Sequence, residues 1–272
     1  RGGGLMYRAD LHIHTAVSDC SLQTEPFFGG ESGGDNTSAF TDHDTTLDAE
    51  KHKELAEQQA FSLLLELKCP HLILKEIKSS YTWNKYQTNR QIEAIGKETL
   101  KKRNENCLKQ IEILRDLGYR ISAEEIRKTA GSCIYKQHIL DYLVKTGQSE
   151  TLFGRVYQNI FKNQGPCDFD IEYPAAEDVV QAIKADKGYA VLAPSGAAGK
   201  LRGDTPAGGA GLDGIGGTTP PTESPTEEGL RSTAAATPVH DRGSDFHGRY
   251  ENGKTMLGAY PAHESSEILF IP

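Results

Sequence analysis

Three short clusters of histidine and aspartate, far apart along the chain, constrain this sequence more than any other feature. They are "DLHIHTAVSDC" at 10–20, "TDHD" at 41–44 and "SDFH" at 244–247. A strand predicted over 7–14 puts His12 and His14 on one face, because side chains along a strand alternate with a period of two. Two imidazoles on one face can bind a single metal ion, although an isolated His-x-His is more often a pair of surface residues.

The other two clusters make the metal-binding interpretation much stronger. Both are expected at the ends of predicted strands, and the one at 41–44 follows a short apolar stretch. In folds built from parallel strands, functional side chains collect at the carboxyl ends of the strands, so clusters distant in sequence can meet in space. Imidazole and carboxylate together suit Zn²⁺, Mn²⁺ or Fe²⁺, and a carboxylate can bridge two ions.

The predicted elements outside the middle of the chain alternate between helix and strand. Good helix formers fill 47–68, which predicts a helix there. A further helix is predicted at 175–188. Buried strands are predicted in "HLILKEIKSS" at 71–80, in "YAVLA" at 189–193 and in "GLDGI" at 211–215. This alternation predicts an α/β fold.

The middle of the chain has a different pattern, with four helical segments in a row between 97 and 165. Gly118 is a natural end for the first of them, and Ser122 with Glu125 has the spacing of a capping box. A run of helices without a strand predicts a small helical insertion. The predicted organisation is therefore a first barrel segment at 6–96, the insertion at 97–165 and a second barrel segment at 166–272.

Composition excludes several classes of protein. The chain has 272 residues, with 30 Lys and Arg against 38 Asp and Glu, and no basic run, which argues against a protein that coats nucleic acid. The five cysteines include no CxxC pair, so we expect no disulfide framework and a reducing, cytoplasmic setting. No apolar stretch approaches about 18 residues, so we expect no membrane span.

At the level of motifs, "DLHIHTAVSDCSL", "AFTDHDTT" and "RGSDFHG" resemble the three signatures of the PHP (polymerase and histidinol phosphatase) family of metal-dependent phosphoesterases. The segments "LRDLGYRISAEEI" and "NQGPCDFDIEYPAAEDVVQAIKADKGYAVLA" also resemble its stand-alone nucleoside-bisphosphate phosphatase branch. The resemblance implies a distorted (β/α)7 barrel that carries a small all-helical insertion. It also implies a metal cluster at the carboxyl rim of the barrel.

The same resemblance implies two divalent metal ions (Mn, Zn or Fe). The ligands expected for the first ion are His12, His14 and Asp245. Those expected for the second ion are Asp19, His43 and His247. In the family a glutamate after the next strand bridges the ions, and Glu76 in "LKEIKSS" is the best match here, with a register uncertain by one residue.

Two departures from the branch bear on a third ion. "NRQIEAIG" has no histidine where the branch has one, and "VLAPSG" has Pro194 where the branch has another. Proline cannot bind a metal through its side chain, so a third site is expected to be absent or weak. His71 or His138 would replace the missing imidazoles only if the fold brings either of them close.

Substrate contacts are also implied by the resemblance. Arg103 and Asn104 in "KKRNEN", with Lys136 and His138 in "IYKQHIL", match substrate-binding positions, although a solvated helix face is an equal alternative for the first pair. Two residues are candidate proton carriers for the leaving group: Asp44 and His247.

The resemblance implies hydrolysis of a phosphate monoester of a small nucleotide, either a nucleoside 3′,5′-bisphosphate or a short oligonucleotide, by a metal-activated water. The partner is then a small phosphorylated substrate, with no stable binding of a nucleic-acid duplex and no membrane. An alternative is a metal-binding module that has lost catalysis and serves in ligand binding or interaction, which the two missing histidines favour.

Overall fold

The structure is a computed structural model that describes residues 8–23, 36–45, 47–58, 62–69, 72–75, 90–192, 214–217, 239–242 and 244–250. Glu76, His71 and Pro194 lie outside these ranges, so the predictions made for them stay predictions. None of the helices in the described part of the chain combines the length and apolar character that a membrane crossing requires.

The described strands form one seven-stranded sheet in chain order. They are β1 (Arg8–Ile13), β2 (Asn36–His43), β3 (Ser62–Cys69), β4 (Leu72–Lys75), β5 (Tyr189–Leu192), β6 (Gly214–Gly217) and β7 (Val239–Arg242). Strands β1, β2 and β3 are parallel to one another, as are β5, β6 and β7, whereas β4 is antiparallel to both of its neighbours. The predicted α/β class is confirmed.

The last His/Asp motif lies beside the end of the first strand. Ile13 and Phe246 form a parallel bridge. The amide of His14 donates to the carbonyl of Phe246 at 3.0 Å, and the amide of Asp245 donates to the carbonyl of His12 at 2.8 Å. Main-chain hydrogen bonds therefore bring the two ends of the sheet together where β1 ends. Closure into a (β/α)7 barrel stays a prediction.

Three of the described helices lie in the middle of the chain, and one lies on either side of it. The helices are α1 (Ala49–Gln58), α2 (Arg90–Asp116), α3 (Ala123–Arg127), α4 (Lys136–Lys145) and α5 (Ala176–Ala185), with a π-helical turn at Tyr157–Phe161 and a 3-10 turn at Gly248–Tyr250. Ser122 Oγ accepts from the amide of Glu125 at 3.3 Å, as the capping-box spacing predicts. Gly118, just past α2, has a φ of +88°, a conformation that favours glycine.

Among the described residues, two hydrophobic cores hold the helices from α2 to α5. The larger one lies within the middle segment and contains Ile111, Leu114, Ile126, Ile139 and Phe161. The smaller one packs the first turns of α2 against α5, through Ile92, Val180 and Ile183. Helix α2 therefore crosses the predicted boundary at 97 and takes part in both cores, and the domain boundaries stay predictions.

The prediction of helix over 47–68 is wrong in its second half. Helix α1 ends at Gln58, and Ser62–Cys69 forms strand β3. This strand pairs in parallel with β2 from Thr37–Ser62 to His43–Lys68, and antiparallel with β4. The residues "SLLLELKC" favour a helix by local propensity, but hydrogen bonding to strands on both sides outweighs that preference.

Candidate metal centre

The three His/Asp clusters meet at the carboxyl end of β1. Among the described residues, their ligand atoms form two groups, each lying within 4.8 Å of one another: His14, Asp19, His43 and His247 in one, and His12, His14 and Asp245 in the other. His14 belongs to both groups, whereas the family resemblance assigned it to the first ion alone. The sequence predicted that the clusters would meet, and only the fold shows that one imidazole lies between them.

The group around Asp245 is compact. Oδ1 of Asp245 lies 2.9 Å from His12 Nε2 and 3.3 Å from His14 Nε2. Both imidazoles are buried, at 4% and 0% exposure, whereas the side chain of Asp245 is 56% exposed. The group therefore combines buried nitrogen ligands with a carboxylate at the surface, where a ligand from solvent can reach it.

The second group surrounds the carboxylate of Asp19, which is 3% exposed. Its Oδ1 lies 3.6 Å from His14 Nδ1 and 3.5 Å from His247 Nε2, and its Oδ2 lies 3.8 Å from His43 Nε2. Burial raises the pKa of Asp19, but His43, His247 and His14 lower it by more, so its pKa is well below the usual range. The carboxylate is therefore ionised at neutral pH.

A hydrogen bond fixes the tautomer of His247. Its Nδ1 lies 2.6 Å from the carbonyl oxygen of Asp245. A carbonyl can only accept, so Nδ1 carries a proton, which leaves Nε2, facing Asp19, as the nitrogen that can bind a metal ion. The ring also stacks on His14 with centroids 4.1 Å apart. His247 is thus oriented with its basic nitrogen towards the cluster.

Asp42 holds the loop that carries Asp19. It is buried, and its carboxylate accepts from Thr15 N at 2.9 Å, from Thr15 Oγ1 at 2.7 Å and from Ser18 Oγ at 2.6 Å. Burial raises the pKa of Asp42, and these hydrogen bonds oppose the shift. The sequence analysis gave Asp42 no role, although its place inside "TDHD" was a signal.

Asp10 holds the segment of the last motif in place, as Asp42 holds the loop that carries Asp19. Its Oδ1 accepts from the amide of Ser244 at 2.8 Å and from the amide of His12 at 3.3 Å. Asp10 is 4% exposed, and it begins the first cluster, yet the sequence analysis assigned it no function. One buried carboxylate thereby joins the segments that bring His12 and Asp245 together.

Backbone strain marks the same region. Asp44 and Asp245 have φ values of 56° and 53°, in the left-handed region that non-glycine residues rarely adopt. Each costs free energy that the surrounding contacts must offset, and such residues concentrate at functional sites.

The donor set fits a divalent transition metal. Each group offers imidazole nitrogens and at least one carboxylate oxygen, which are the ligands that Zn²⁺, Mn²⁺ and Fe²⁺ accept. The hydrogen bond at His247 Nδ1, which directs Nε2 to the centre, and the ionised Asp19 both suit such an ion. The structure thus supports divalent metal binding at this centre.

Next to the centre lies a buried ion pair that joins two predicted residues. Arg103 NH2 is 2.7 Å from Asp44 Oδ2, and their side chains are 16% and 0% exposed. The guanidinium also lies 5.2 Å from the ring centroid of Tyr135 and 5.7 Å from that of Tyr173. The hydroxyl of Tyr135 donates to the carbonyl of His43 at 2.9 Å, which connects the pair to the cluster.

Charge and burial act against each other in this pair. Burial raises the pKa of Asp44, and the Arg103 guanidinium opposes that shift without cancelling it. Burial lowers the pKa of Arg103, but the Asp44 carboxylate raises it by more, so the guanidinium stays charged.

The three other predicted substrate residues make contacts within the protein. Asn104 Oδ1 accepts from Arg127 and, at 3.3 Å, from the amide of Ile134. Lys136 is the first residue of α4 and is half-buried. His138 Nδ1 accepts from the amide of Tyr135 at 3.1 Å, and burial lowers the pKa of His138 to about 4, so the ring is neutral at pH 7. Their roles in substrate binding stay predictions.

Strand β3 contains a glutamate, Glu66, that the sequence analysis placed within a predicted helix. Strand β3, and not β4, is the parallel neighbour of β2, and it places Glu66 in register with Thr41 of β2. Strand β4 is antiparallel, and its last residue, Lys75, pairs with Tyr189 at the start of β5. The sequence analysis did not consider this glutamate, because it predicted a helix over 47–68 and a helical residue has no register with a neighbouring strand.

Comparison with known proteins agrees with the centre and the fold. No family model matches the chain. A curated relative from Eggerthella lenta, phosphoribosyl 1,2-cyclic phosphate 1,2-diphosphodiesterase, is 29% identical over 69% of this chain and 73% of its own length. A crystal structure from Bifidobacterium adolescentis, assigned as a metal-dependent phosphoesterase, has a TM-score of 0.76 at 21% identity and covers 97% of this chain and 96% of its own.

A second solved structure, an amidohydrolase from Chromobacterium violaceum with bound sulfate and no metal, has a TM-score of 0.70 at 19% identity, covering 95% of this chain and 93% of its own. Both structures show the fold. With the three signature clusters joined in one centre and a phosphodiesterase as relative, the chain is a hydrolase that resembles the PHP family of metal-dependent phosphoesterases.

Proposed function

We propose that this enzyme hydrolyses a phosphate monoester of a small nucleotide, a nucleoside 3′,5′-bisphosphate first and a short oligonucleotide second. The observation that carries the proposal is the meeting of two His/Asp groups beside the buried Asp44–Arg103 pair. The net charge of −8 and the lack of a basic run favour a small substrate over a nucleic-acid duplex.

Two ions are proposed, one for each group. His12, His14 and Asp245 would hold the first, and Asp19, His43 and His247 the second. Glu76 would bridge them. When bound, such a pair supplies Lewis acidity at the phosphoryl oxygens and lowers the pKa of a water molecule. No third ion is proposed, because the "NRQIEAIG" segment, which from Arg90 onward forms the first turns of α2, contains no histidine.

The ion pair supplies the remaining chemistry. Arg103 Nε and Asp44 Oδ1 are both buried without a hydrogen-bond partner within the described structure. A phosphate oxygen of the substrate would accept from Arg103 Nε. Asp44 is the better of the two proposed proton carriers, since its pKa is raised, whereas both nitrogens of His247 face fixed acceptors, the carbonyl of Asp245 and the carboxylate of Asp19.

A panel of substrates tests this proposal. We expect Mn²⁺-loaded enzyme to release phosphate from adenosine 3′,5′-bisphosphate with a higher kcat/KM than from a 5′-phosphorylated trinucleotide or p-nitrophenyl phosphate. The measurement is phosphate release with product analysis by chromatography. Tight Mn²⁺ binding with no turnover of any substrate would instead support the alternative of a metal-binding module that has lost catalysis.

A cyclic phosphodiesterase is the second candidate, because the relative from Eggerthella lenta carries that activity in its name. The two candidates share a ribose that carries two phosphate groups. 5-Phosphoribosyl 1,2-cyclic phosphate therefore belongs in the panel. A kcat/KM for this compound above that for the bisphosphate would replace the nucleotide proposal.

Arg103→Ala should weaken binding of substrates that carry a second phosphate. A charge-assisted hydrogen bond contributes about 1.5–3 kcal/mol, so KM for adenosine 3′,5′-bisphosphate should rise about 10- to 100-fold. KM for p-nitrophenyl phosphate, which has one phosphate, should change much less. The measurement is steady-state kinetics on both substrates.

Two controls accompany this variant. Arg103→Lys keeps a charge beside Asp44, because removing one partner of a buried ion pair is itself destabilising. Arg115→Ala removes an arginine elsewhere on α2 and should leave both KM values unchanged. An equal rise of KM for both substrates in folded Arg103→Ala would show that Arg103 does not bind the second phosphate.

A further inference from the structure

Helix α4 presents two polar side chains, Gln137 and Asp141, towards the metal centre. They are four residues apart, so they lie on one face of the helix, one turn from each other. Each belongs to a hydrogen-bond network that reaches a different ligand-bearing loop. Neither was singled out by the sequence.

Gln137 reaches the first loop directly. Its Nε2 donates to Asp19 Oδ2 at 2.9 Å. Ser18 Oγ, whose proton Asp42 Oδ1 accepts at 2.6 Å, lies 3.4 Å from the other oxygen of the same carboxylate. Since Asp19 is buried, the Gln137 amide fixes the direction in which its carboxylate points.

Asp141 reaches the second loop through Arg249. Arg249 Nε lies 3.1 Å from Asp141 Oδ1, and Arg249 NH2 lies 2.9 Å from Asp141 Oδ2, which is a bidentate pair. Lys145 Nζ, one turn further along α4, lies 2.7 Å from Oδ2 as well. Arg249 follows His247 by two residues, so its position limits where that loop can go.

The two loops are also joined to each other. The amide of Arg249 donates to Ser21 Oγ at 2.8 Å, and the amide of Ser21 donates to the carbonyl of His247 at 3.2 Å. A shift of either loop therefore has to break hydrogen bonds with the other or with α4.

We propose that this face of α4 positions the metal ligands, with Gln137 orienting Asp19 and Asp141 holding the Asp245–His247 loop through Arg249. The inference rests on the proposed metal centre. Gln137 and Arg249 are positioning residues, since neither belongs to the ligand groups. Loss of such a partner lowers metal affinity about 10- to 100-fold in well-studied centres.

The test is calorimetric titration of metal-free enzyme with Mn²⁺. Wild type should bind two tight equivalents. Gln137→Leu and Arg249→Met should each bind Mn²⁺ about 10- to 100-fold more weakly, with unchanged circular dichroism. Arg249→Lys, which keeps one charged donor, should recover most of the affinity. Asp141 stays paired with Lys145 in all three variants, so none leaves it without a cation.

Two matched controls test whether the effect is specific. Gln148→Leu removes an amide that bonds to Arg120 N at 2.7 Å, and Arg155→Met removes an exposed partner of Glu150 at 3.8 Å. Both should keep the affinity of wild type. If Gln137→Leu and Arg249→Met bind Mn²⁺ as tightly as wild type, even with lower thermal stability, the positioning role of α4 is overturned. The proposed metal centre is then unaffected. A wild type that binds no Mn²⁺ would overturn the proposed centre as well.

Discussion

His12→Ala and Asp245→Ala should each abolish phosphate release and remove one of the two Mn²⁺ equivalents. The ligand atoms of these residues lie 2.9 Å apart in the smaller group, which would keep only two side chains after either substitution. The loss of activity should exceed the roughly 100-fold loss that is typical when a residue that only supports a metal ligand is replaced. The measurements are phosphate release and metal content by elemental analysis, both made on the same folded preparation of each variant.

His52→Ala is the matched control for these variants. His52 is buried, and its ring packs edge-on against Phe40 with centroids 5.1 Å apart, outside both ligand groups. The His52→Ala variant should be less stable to unfolding, but it should still bind two Mn²⁺ ions and release phosphate as wild type does. Normal turnover of folded His12→Ala or Asp245→Ala would contradict the assignment of this group as a metal site.

Gly131→Ala should destabilise the protein and weaken the site together. A Cβ on Gly131 would overlap the carbonyl oxygen of Ala16 and lie 2.6 Å from that of Val17, so backbone must move. The amide of Ser132 also donates to the carbonyl of Val17 at 2.8 Å. Overpacking of this kind costs about 1–3 kcal/mol, and here the displaced loop carries Asp19.

The measurements are thermal unfolding and Mn²⁺ titration. A loss of about 2 kcal/mol should lower Tm by about 4–8 °C in a chain of this size, and Mn²⁺ affinity should fall with it. Gly165→Ala is the control, since its Cβ would overlap the backbone of Asn159 and Ile160 and touch neither ligand loop. It should lower Tm alone. Unchanged Mn²⁺ affinity in Gly131→Ala would show that the loop does not depend on this close approach.

The sequence predicted correctly those features that depend only on residues close together in the chain. The alternation of β1 puts His12 and His14 together, and the capping pair Ser122 and Glu125 starts a helix, because both depend on residues a few positions apart. The meeting of the clusters followed from a general property of parallel sheets.

Long-range hydrogen bonds decided what the sequence predicted wrongly or missed. "SLLLELKC" has the composition of a helix, yet it forms β3, because strands on both sides satisfy its main-chain groups. A hydrogen bond between residues far apart in sequence depends on packing that no local pattern encodes.

The sequence by itself determined the donors: three clusters of imidazole and carboxylate at predicted strand ends, and an arginine on a helix between the second and third clusters. Only the tertiary structure decided their arrangement. It put His14 between two groups, paired Arg103 with Asp44 across 59 positions and directed one face of α4 at both ligand loops. The physical reason is that residue type sets what an atom can bind, whereas the burial and hydrogen bonds of distant segments set where that atom points.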